Sequence, residues 1–572
     1  MPRKREITLV NAAYNEPYKV RSLLQPLGIL YLAAYVRRYG WDIDYRDYQL
    51  VASSSPHPEE LAELLVDGCD IVGIGCHSAH LPLVCSAVTL LKQARPDRFV
   101  ILGGVGPTLV ARELMGSFEA VDLVVRGEGE VTLLEALTAI SQGDDLSKVK
   151  GVCYRRGQHV AVTPNRELIP DLDVLPRPAY DLLDFSVFQD PGLPVTMRRL
   201  ASVAPSRGCP YHCPFCTSNA FYGGRVRLRE PRLVAEEVGF LCQHFGCNLI
   251  NFTDDTFTLD RSRTIQLCQA LRQEAPGVKW RCGTRVDLMD VELMTLMAEA
   301  GCIEVQYGLE SGSERVRKKL GKRIGTGRAI EVIEDSVKIF PKVKVSFMWG
   351  FPFESLDDLH ETVTVMRLLS EAGAYLNFVF WEPYPGTALF ERYRSQVSLL
   401  EELKPADRPR DYRYDGALLA TIMSHPTIFT NLAFVPSDTL AEKVRLLRAW
   451  GFPNFDLSNF QIPVTLEQEK NEVPDSLPPN WLIGMNEMVR LQHIAGRFFV
   501  FNTQSSALYE IDKEAAELLD VCATPAPVKE LVQRIMPSQY PKTKQVEGHI
   551  MKALAEFLKK GWLSIKGEES TK

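Results

Sequence analysis

Two long stretches of this 572-residue chain repeat one signal, a short apolar run followed by an amphipathic helical stretch, and that alternation limits the fold more than any other feature. Strands met in this order pair in parallel, because the intervening helix carries the chain back to its starting edge, so each stretch predicts its own α/β layer structure. The first, residues 1–145, places strands at 7–11, 43–48, 71–75, 100–104 and 123–127, a doubly wound, Rossmann-like pattern. The second, residues 201–395, places strands at 202–206, 249–253, 279–283, 303–308, 344–350 and 376–381, a partial (β/α)6 barrel.

Both folds bind ligands at the carboxyl ends of their strands. In the first, those ends are 11–18, 76–80, 103–108 and 126–130. Backbone amides in Gly103-Gly104-Val105-Gly106-Pro107-Thr108, opening a helix, suit an amide or phosphate of a large cofactor, although glycines there also serve a tight turn. In the second, Cys209, Cys213 and Cys216 follow the first strand, spaced to hold three irons of a four-iron, four-sulfur cluster and leave the fourth iron open to a substrate. A structural zinc site would want four ligands in two close pairs, and a ferredoxin cluster a fourth nearby cysteine.

The triad in Ser206-Arg207-Gly208-Cys209-Pro210-Tyr211-His212-Cys213-Pro214-Phe215-Cys216, with an aromatic before the last cysteine, resembles the radical S-adenosylmethionine superfamily. The resemblance implies a [4Fe-4S] cluster whose open iron is chelated by S-adenosylmethionine, and a 5′-deoxyadenosyl radical made by its reductive cleavage. It implies that Asp254 or Asp255 accepts from the ammonium or ribose, that Arg285 pairs with the methionine carboxylate, and that Glu310 takes a ribose hydroxyl. The residues alone also allow a helix cap at Asp254 or Asp255, a surface ion pair at Arg285 and a turn at Glu310-Ser311-Gly312. Trp381-Glu382-Pro383-Tyr384-Pro385-Gly386-Thr387, after the sixth strand, completes the likeness.

Gln25-Pro26-Leu27-Gly28, the 103–108 run and Arg126-Gly127-Glu128-Gly129-Glu130, placed before the cysteines, resemble the cobalamin-binding domain of cobalamin-dependent members of that superfamily. The likeness implies cobalamin contacts at Gly103, Gly104, Thr108, Gly127 and Glu128. No Asp-x-His-x-x-Gly signature stands in this part and the loop after its first strand has no histidine, so the implied cobalamin has no protein histidine ligand; His77 and His80 read as loop or packing residues.

The net charge of −7 argues against a general nucleic-acid binder. No apolar run reaches the length of a membrane span. Thirteen cysteines beside an oxygen-sensitive cluster motif predict a reducing, cytoplasmic setting. Cys242, Cys247, Cys268, Cys282 and Cys302 read as small buried hydrophobes, and Cys69, Cys76 and Cys85 do not match the second cluster of tRNA methylthiotransferases.

Residues 146–200, punctuated by Pro164, Pro170, Pro176 and Pro178, read as a linker, and 396–485 as a helical, proline-interrupted cap. In 486–567, strands at 489–494, 498–502 and 507–511 precede helices at 513–521, 527–535 and 545–560. This segment resembles the winged-helix peptide chaperone of pyrroloquinoline quinone biosynthesis (PqqD-like), which implies that a leader peptide binds as an added strand. The whole predicts a cobalamin-dependent C-methyltransferase acting on an unactivated carbon of a ribosomally made precursor peptide, reduced by an external donor such as flavodoxin or ferredoxin. The alternative is a cobalamin-dependent cyclase or rearrangement enzyme on a tetrapyrrole or other small molecule. A non-catalytic cobalamin sensor requires an inert cluster site.

Overall fold

The computed structural model describes residues 5–13, 23–52, 57–396, 398–399, 433–434, 482–485, 489–494, 497–502, 507–535, 544–560 and 562–565. In the first body, β1 (Glu6–Asn11), β2 (Asp42–Asp47), β3 (Ile71–Gly75), β4 (Phe99–Gly103) and β5 (Leu123–Val125) pair in parallel in the order β2-β1-β3-β4-β5. Alternate residues of each strand feed two separate cores. Ile7 and Leu9 pack with Ile29, Val36 and Leu137 on one face, while Val10, Val72 and Val100 pack with Leu65, Val84 and Val88 on the other. Both faces are therefore covered by helices, as a parallel sheet requires. Strand order reverses between β1 and β3, so the ligand crevice lies where Asn11 and Cys76 leave the sheet.

Where the proline and glycine punctuation suggests only a linker, β6 (Val152–Arg156) and β7 (His159–Val162) form a hairpin that extends this sheet antiparallel to β5. The edge is thereby lengthened, with Val152 and Cys153 wholly buried against the first body.

The second body holds β8 (Leu200–Val203), a two-stranded ribbon β9 (Ser206–Arg207) and β10 (Arg227–Leu228), then β11 (Leu249–Phe252), β12 (Lys279–Thr284), β13 (Cys302–Glu310), β14 (Lys342–Trp349) and β15 (Tyr375–Phe380). Its six long strands run parallel in sequence order, β8-β11-β12-β13-β14-β15. Val343, Val345, Phe347 and Trp349 are buried in the helix-facing core, and Lys344 and Ser346 alternate with them. That opposite face is polar. Gln306, exposed in the middle of the sheet, donates to Ser346 Oγ at 3.0 Å, and below it Lys344 and Lys342 meet Glu304 at 2.6 and 3.3 Å.

Beyond the barrel, β16 (Ser398–Leu399) pairs with β17 (Ala433–Phe434), and most of the expected cap at 396–485 lies outside the described residues. The last body holds β18 (Leu482–Met485) and, in a separate sheet, the antiparallel meander β19 (Val489–Ile494), β20 (Arg497–Asn502) and β21 (Ala507–Ile511). Helices Lys513–Val521, Val528–Ile535 and Lys544–Lys559 follow, and β18 pairs with β22 (Ala526–Pro527) and β23 (Leu563–Ile565). Val489, Val500, Leu519, Leu531, Leu554 and Trp562 share its core, whereas Phe499, next to Val500, is buried in the barrel's core cluster. Among the described residues no helix is long and apolar enough to cross a membrane.

Candidate active site

The three cysteines lie on the loop between β9 and the helix Thr217–Tyr222, just beyond the first barrel strand. All three are half-buried. The turn is closed by the Cys216 amide donating to the Cys213 carbonyl at 3.1 Å. Gly208, at φ 88°, lies so close to the neighbouring ribbon that a Cβ would stand 2.1 Å from the Arg225 carbonyl oxygen, so only glycine fits before Cys209. Burial raises the Cys213 thiol and pushes Cys216 to about 11. Opposing this, Lys322 and Arg285 favour the Cys213 thiolate, and the Ser218 and Asn219 amides favour that of Cys216. Iron binding displaces those protons.

The loop after β11 braces the cysteine loop at three points. Ser206 donates to Asp254, Ser218 donates to Asp255 at 2.7 Å, and Thr256 Oγ1 lies 3.5 Å from Cys209 Sγ. The Gly208 amide also favours ionised Asp255. Sequence reasoning expects Asp254 and Asp255 to meet a nucleoside; the structure engages Asp255 and one oxygen of Asp254 in holding the cluster loop. Asp254 Oδ2 is buried with no hydrogen-bond partner in the structure, an acceptor suited to a cationic or hydroxyl-bearing ligand. Thr256 was missed although it adjoins the pair.

Arg285, after β12, is expected to pair with the methionine carboxylate. Instead it forks onto Asp287, with Nε to Oδ1 at 2.9 Å and Nη2 to Oδ2 at 2.8 Å, and its guanidinium carbon sits 3.8 Å from the Tyr211 ring centroid. This stacks a cation on the cysteine loop. Glu310 ends β13 at φ 69°, the only described non-glycine residue with positive φ, at a register shift between Gly308 and Glu310. Its Oε1 accepts from buried Lys322 at 2.9 Å, and Lys322 also donates to the Gly308 carbonyl. Arg317, wholly buried, donates to the carbonyls of Ser311 and Gly312 at 2.7 and 2.8 Å and pins the turn that follows.

The mouth of the barrel meets the crevice of the first body. The His77 ring stands edge-on to Tyr384, with centroids 6.4 Å apart. A Cβ at Gly386 would touch Leu109 at 3.4 Å, and the Leu389 amide donates to the Pro214 carbonyl at 2.8 Å. The segment 381–389 therefore touches both the crevice loops and the cysteine loop. Burial lowers the His77 pKa, against the pull of Glu382.

In the crevice, Gly104 and Gly106 are there for contact between loops. A Cβ at Gly104 would lie 2.7 Å from the Cys76 carbonyl oxygen, and one at Gly106 2.7 Å from the Ser78 amide nitrogen. Thr108 Oγ1 accepts from the Gly127 amide at 3.1 Å, and Gly103 ends β4 beside Val125. Gly28 and Gly127 have nothing within 4 Å of an added Cβ, so both border open space. One expected cofactor contact is spoken for elsewhere, because the Glu128 carboxylate is taken up by Arg207, Arg227 and the Ile169 amide; Gln25, from the first motif, donates to the Leu200 carbonyl of the barrel at 2.8 Å.

Among the described residues no three His, Cys, Asp or Glu side chains converge on a single metal ion. Cluster cysteines each hold a different iron and stand apart by the width of the cluster, so the half-buried triad, flanked by Lys322 and Arg285, fits an anionic cluster rather than zinc. The glycine-lined, loop-walled crevice at the switch point fits a flat, large cofactor.

Residues 203–366 match the radical SAM superfamily and residues 18–137 match the B12 binding domain. The chain is 32% identical over 366 residues to an uncharacterized methyltransferase of Pyrococcus horikoshii, covering 64% of this chain and 78% of the relative. It is 28% identical over 436 residues to the anaerobic magnesium-protoporphyrin IX monomethyl ester cyclase of Rubrivivax gelatinosus, covering 73% and 76%. In fold it is similar to the radical S-adenosylmethionine methyltransferase TsrM of Kitasatospora setae, solved with cobalamin and a [4Fe-4S] cluster, at TM-score 0.55 and 19% identity over 68% of this chain and 78% of that one.

Proposed function

The chain belongs to the cobalamin-dependent radical SAM methyltransferase family, an enzyme family using a [4Fe-4S] cluster, S-adenosylmethionine and cobalamin, and from that premise we propose that it methylates an unactivated carbon of a ribosomally made peptide. When bound, these groups supply a carbon-centred radical and a methyl donor. The protein's own residues do the rest. Cys209, Cys213 and Cys216 hold the cluster, braced by Ser206, Ser218 and Thr256 through the loop after β11. Tyr384 and His77 close the seam between barrel mouth and crevice, which keeps water from the reacting carbon. The polar strand face bearing Gln306 and Ser346 offers hydrogen bonds to a polar substrate.

One observation carries the peptide substrate: β19, β20 and β21 form a three-stranded antiparallel meander, the kind of sheet that takes an added strand at its edge, and among the described residues no fourth strand pairs with it. Reduction comes from an external donor of the flavodoxin or ferredoxin kind. The similarity to a tetrapyrrole cyclase favours a second reading, ring formation on a tetrapyrrole or other small molecule. Product mass separates them. Incubation with leader-bearing peptides and methyl-deuterated S-adenosylmethionine transfers the labelled methyl in the first case, whereas an unchanged peptide, with a tetrapyrrole offered in its place losing hydrogen and gaining no label, supports the second.

A further inference from the structure

Residues 126–130 resemble a cofactor loop in sequence, yet their carboxylates point the chemistry elsewhere. Glu128 Oε1 accepts from Arg207 at 3.1 Å and from Arg227 at 2.8 Å, and Glu130 Oε1 accepts from Arg207 at 2.6 Å. All four side chains are buried, none more than 13% exposed. The two arginines are cross-strand neighbours on the β9–β10 ribbon, and Arg207 is two residues from Cys209. From Thr108 in the crevice a continuous chain of contacts runs through the Gly127 amide, Glu128 and Arg207 to the backbone of the cysteine loop. Arg207 also lies 4.9 Å from the ring centroid of Tyr31, on the first body's opening helix.

We propose that residues 127–130 and the β9–β10 ribbon form an interdomain latch that sets the position of the cluster loop relative to the cobalamin crevice. A buried ion pair contributes little net stability once desolvation is counted, so its place here is better explained by geometry: Arg207 bridges two carboxylates and Glu128 is shared by two guanidiniums, which ties the loop and the ribbon together at more than one point. At Gly208 the cysteine loop packs directly against the Arg225 carbonyl, where a Cβ would stand 2.1 Å from the oxygen, so the loop and the end of the ribbon are in backbone contact. Glu128, Glu130, Arg207 and Arg227 are thus positioning residues, acting on the cluster through Cys209. The proposal rests on both cofactors binding where the family assignment puts them, but its first test does not.

That test is hydrogen–deuterium exchange on the full chain without cofactors, comparing wild type with Glu128→Gln/Glu130→Gln. Amides of 206–209 and 225–228 should exchange about tenfold faster while β12 to β14 stay protected. Glu167→Gln, which removes the exposed pair with Lys150, should change nothing. If the double variant loosens the whole barrel, Glu130→Gln alone is read in the same way. In the reconstituted protein, relaxation of the cob(II)alamin electron spin by the reduced cluster should weaken in the glutamine variants and keep its wild-type strength in Glu167→Gln. Unchanged exchange at 206–209 overturns the latch. Faster exchange with unchanged spin relaxation reduces these pairs to structural contacts and overturns the positioning role.

Discussion

The His77 imidazole and the Tyr384 ring meet edge to face, 6.4 Å between centroids at 82°, and through them the strand ends of two separately folded sheets close on each other. His77 leaves β3 at the crevice and Tyr384 follows β15 at the barrel mouth. A ring held in this way is a packing element. Cob(II)alamin bound to the protein should therefore give the same electron paramagnetic resonance spectrum in wild type and His77→Ala, with no splitting from a protein imidazole nitrogen. Splitting that vanishes in His77→Ala would show that this histidine ligates cobalt.

Asp255 holds the cluster loop from below, accepting from Ser218, and Thr256 contacts Cys209. Asp255→Ala orphans a hydroxyl and frees the start of the helix after Cys216, a cost of about 1–3 kcal/mol. The reconstituted variant should lose iron faster than wild type on dialysis, with cobalamin binding preserved because the crevice is untouched. Equal iron retention would mean that the brace does not support the cluster.

How much of this was readable in advance follows from the range of each interaction. The two parallel sheets and the cysteine triad are written in local periodicity and spacing, and they stand where the sequence puts them. The β6–β7 hairpin was hidden because its strands are short and lie among glycines and prolines. Arg207, two residues from Cys209, invited no attention, because its partners Glu128 and Glu130 lie 79 and 77 positions earlier. Arg285 and Glu310 were singled out by residue type, but their neighbours Asp287 and Lys322 decide what their charges do, and a left-handed backbone at a glutamate carries no sequence signal.

Asp254 carries a pH signature. Burial raises its pKa from 3.8 to about 6, against the pull of Ser206 and Arg263. A carboxyl whose folded pKa exceeds its unfolded value keeps its proton longer in the folded state, so stability falls as pH rises from about 4 to about 6. The penalty above that window is of order 3 kcal/mol. Thermal melting of the cofactor-free protein across this range should show the decline, and Asp254→Asn should flatten it. An identical slope in the variant would remove Asp254 as its source.

Because β18 pairs with β22 and β23, the C-terminal body begins at Leu482, and a chain ended before that residue removes it whole. Such a chain loses Phe499 from the barrel core but keeps the cysteine loop and crevice, so it should still cleave S-adenosylmethionine while losing most modification of a leader-bearing peptide through a raised KM. Unchanged efficiency on that peptide would end the leader-recognition reading and favour a small-molecule substrate.

Cys209, Cys213 and Cys216 stand on the loop that would hold the cluster, at the barrel mouth where it meets the cobalamin crevice. The most direct test incubates the anaerobically reconstituted full chain with methyl-deuterated S-adenosylmethionine and a reductant, and follows 5′-deoxyadenosine and the label by mass spectrometry. The expected result is 5′-deoxyadenosine that depends on all three cysteines, together with deuterated methyl on the protein-bound cobalamin. A chain that binds iron and cobalamin yet forms neither product, or that forms both with the three cysteines replaced by alanine, would contradict it.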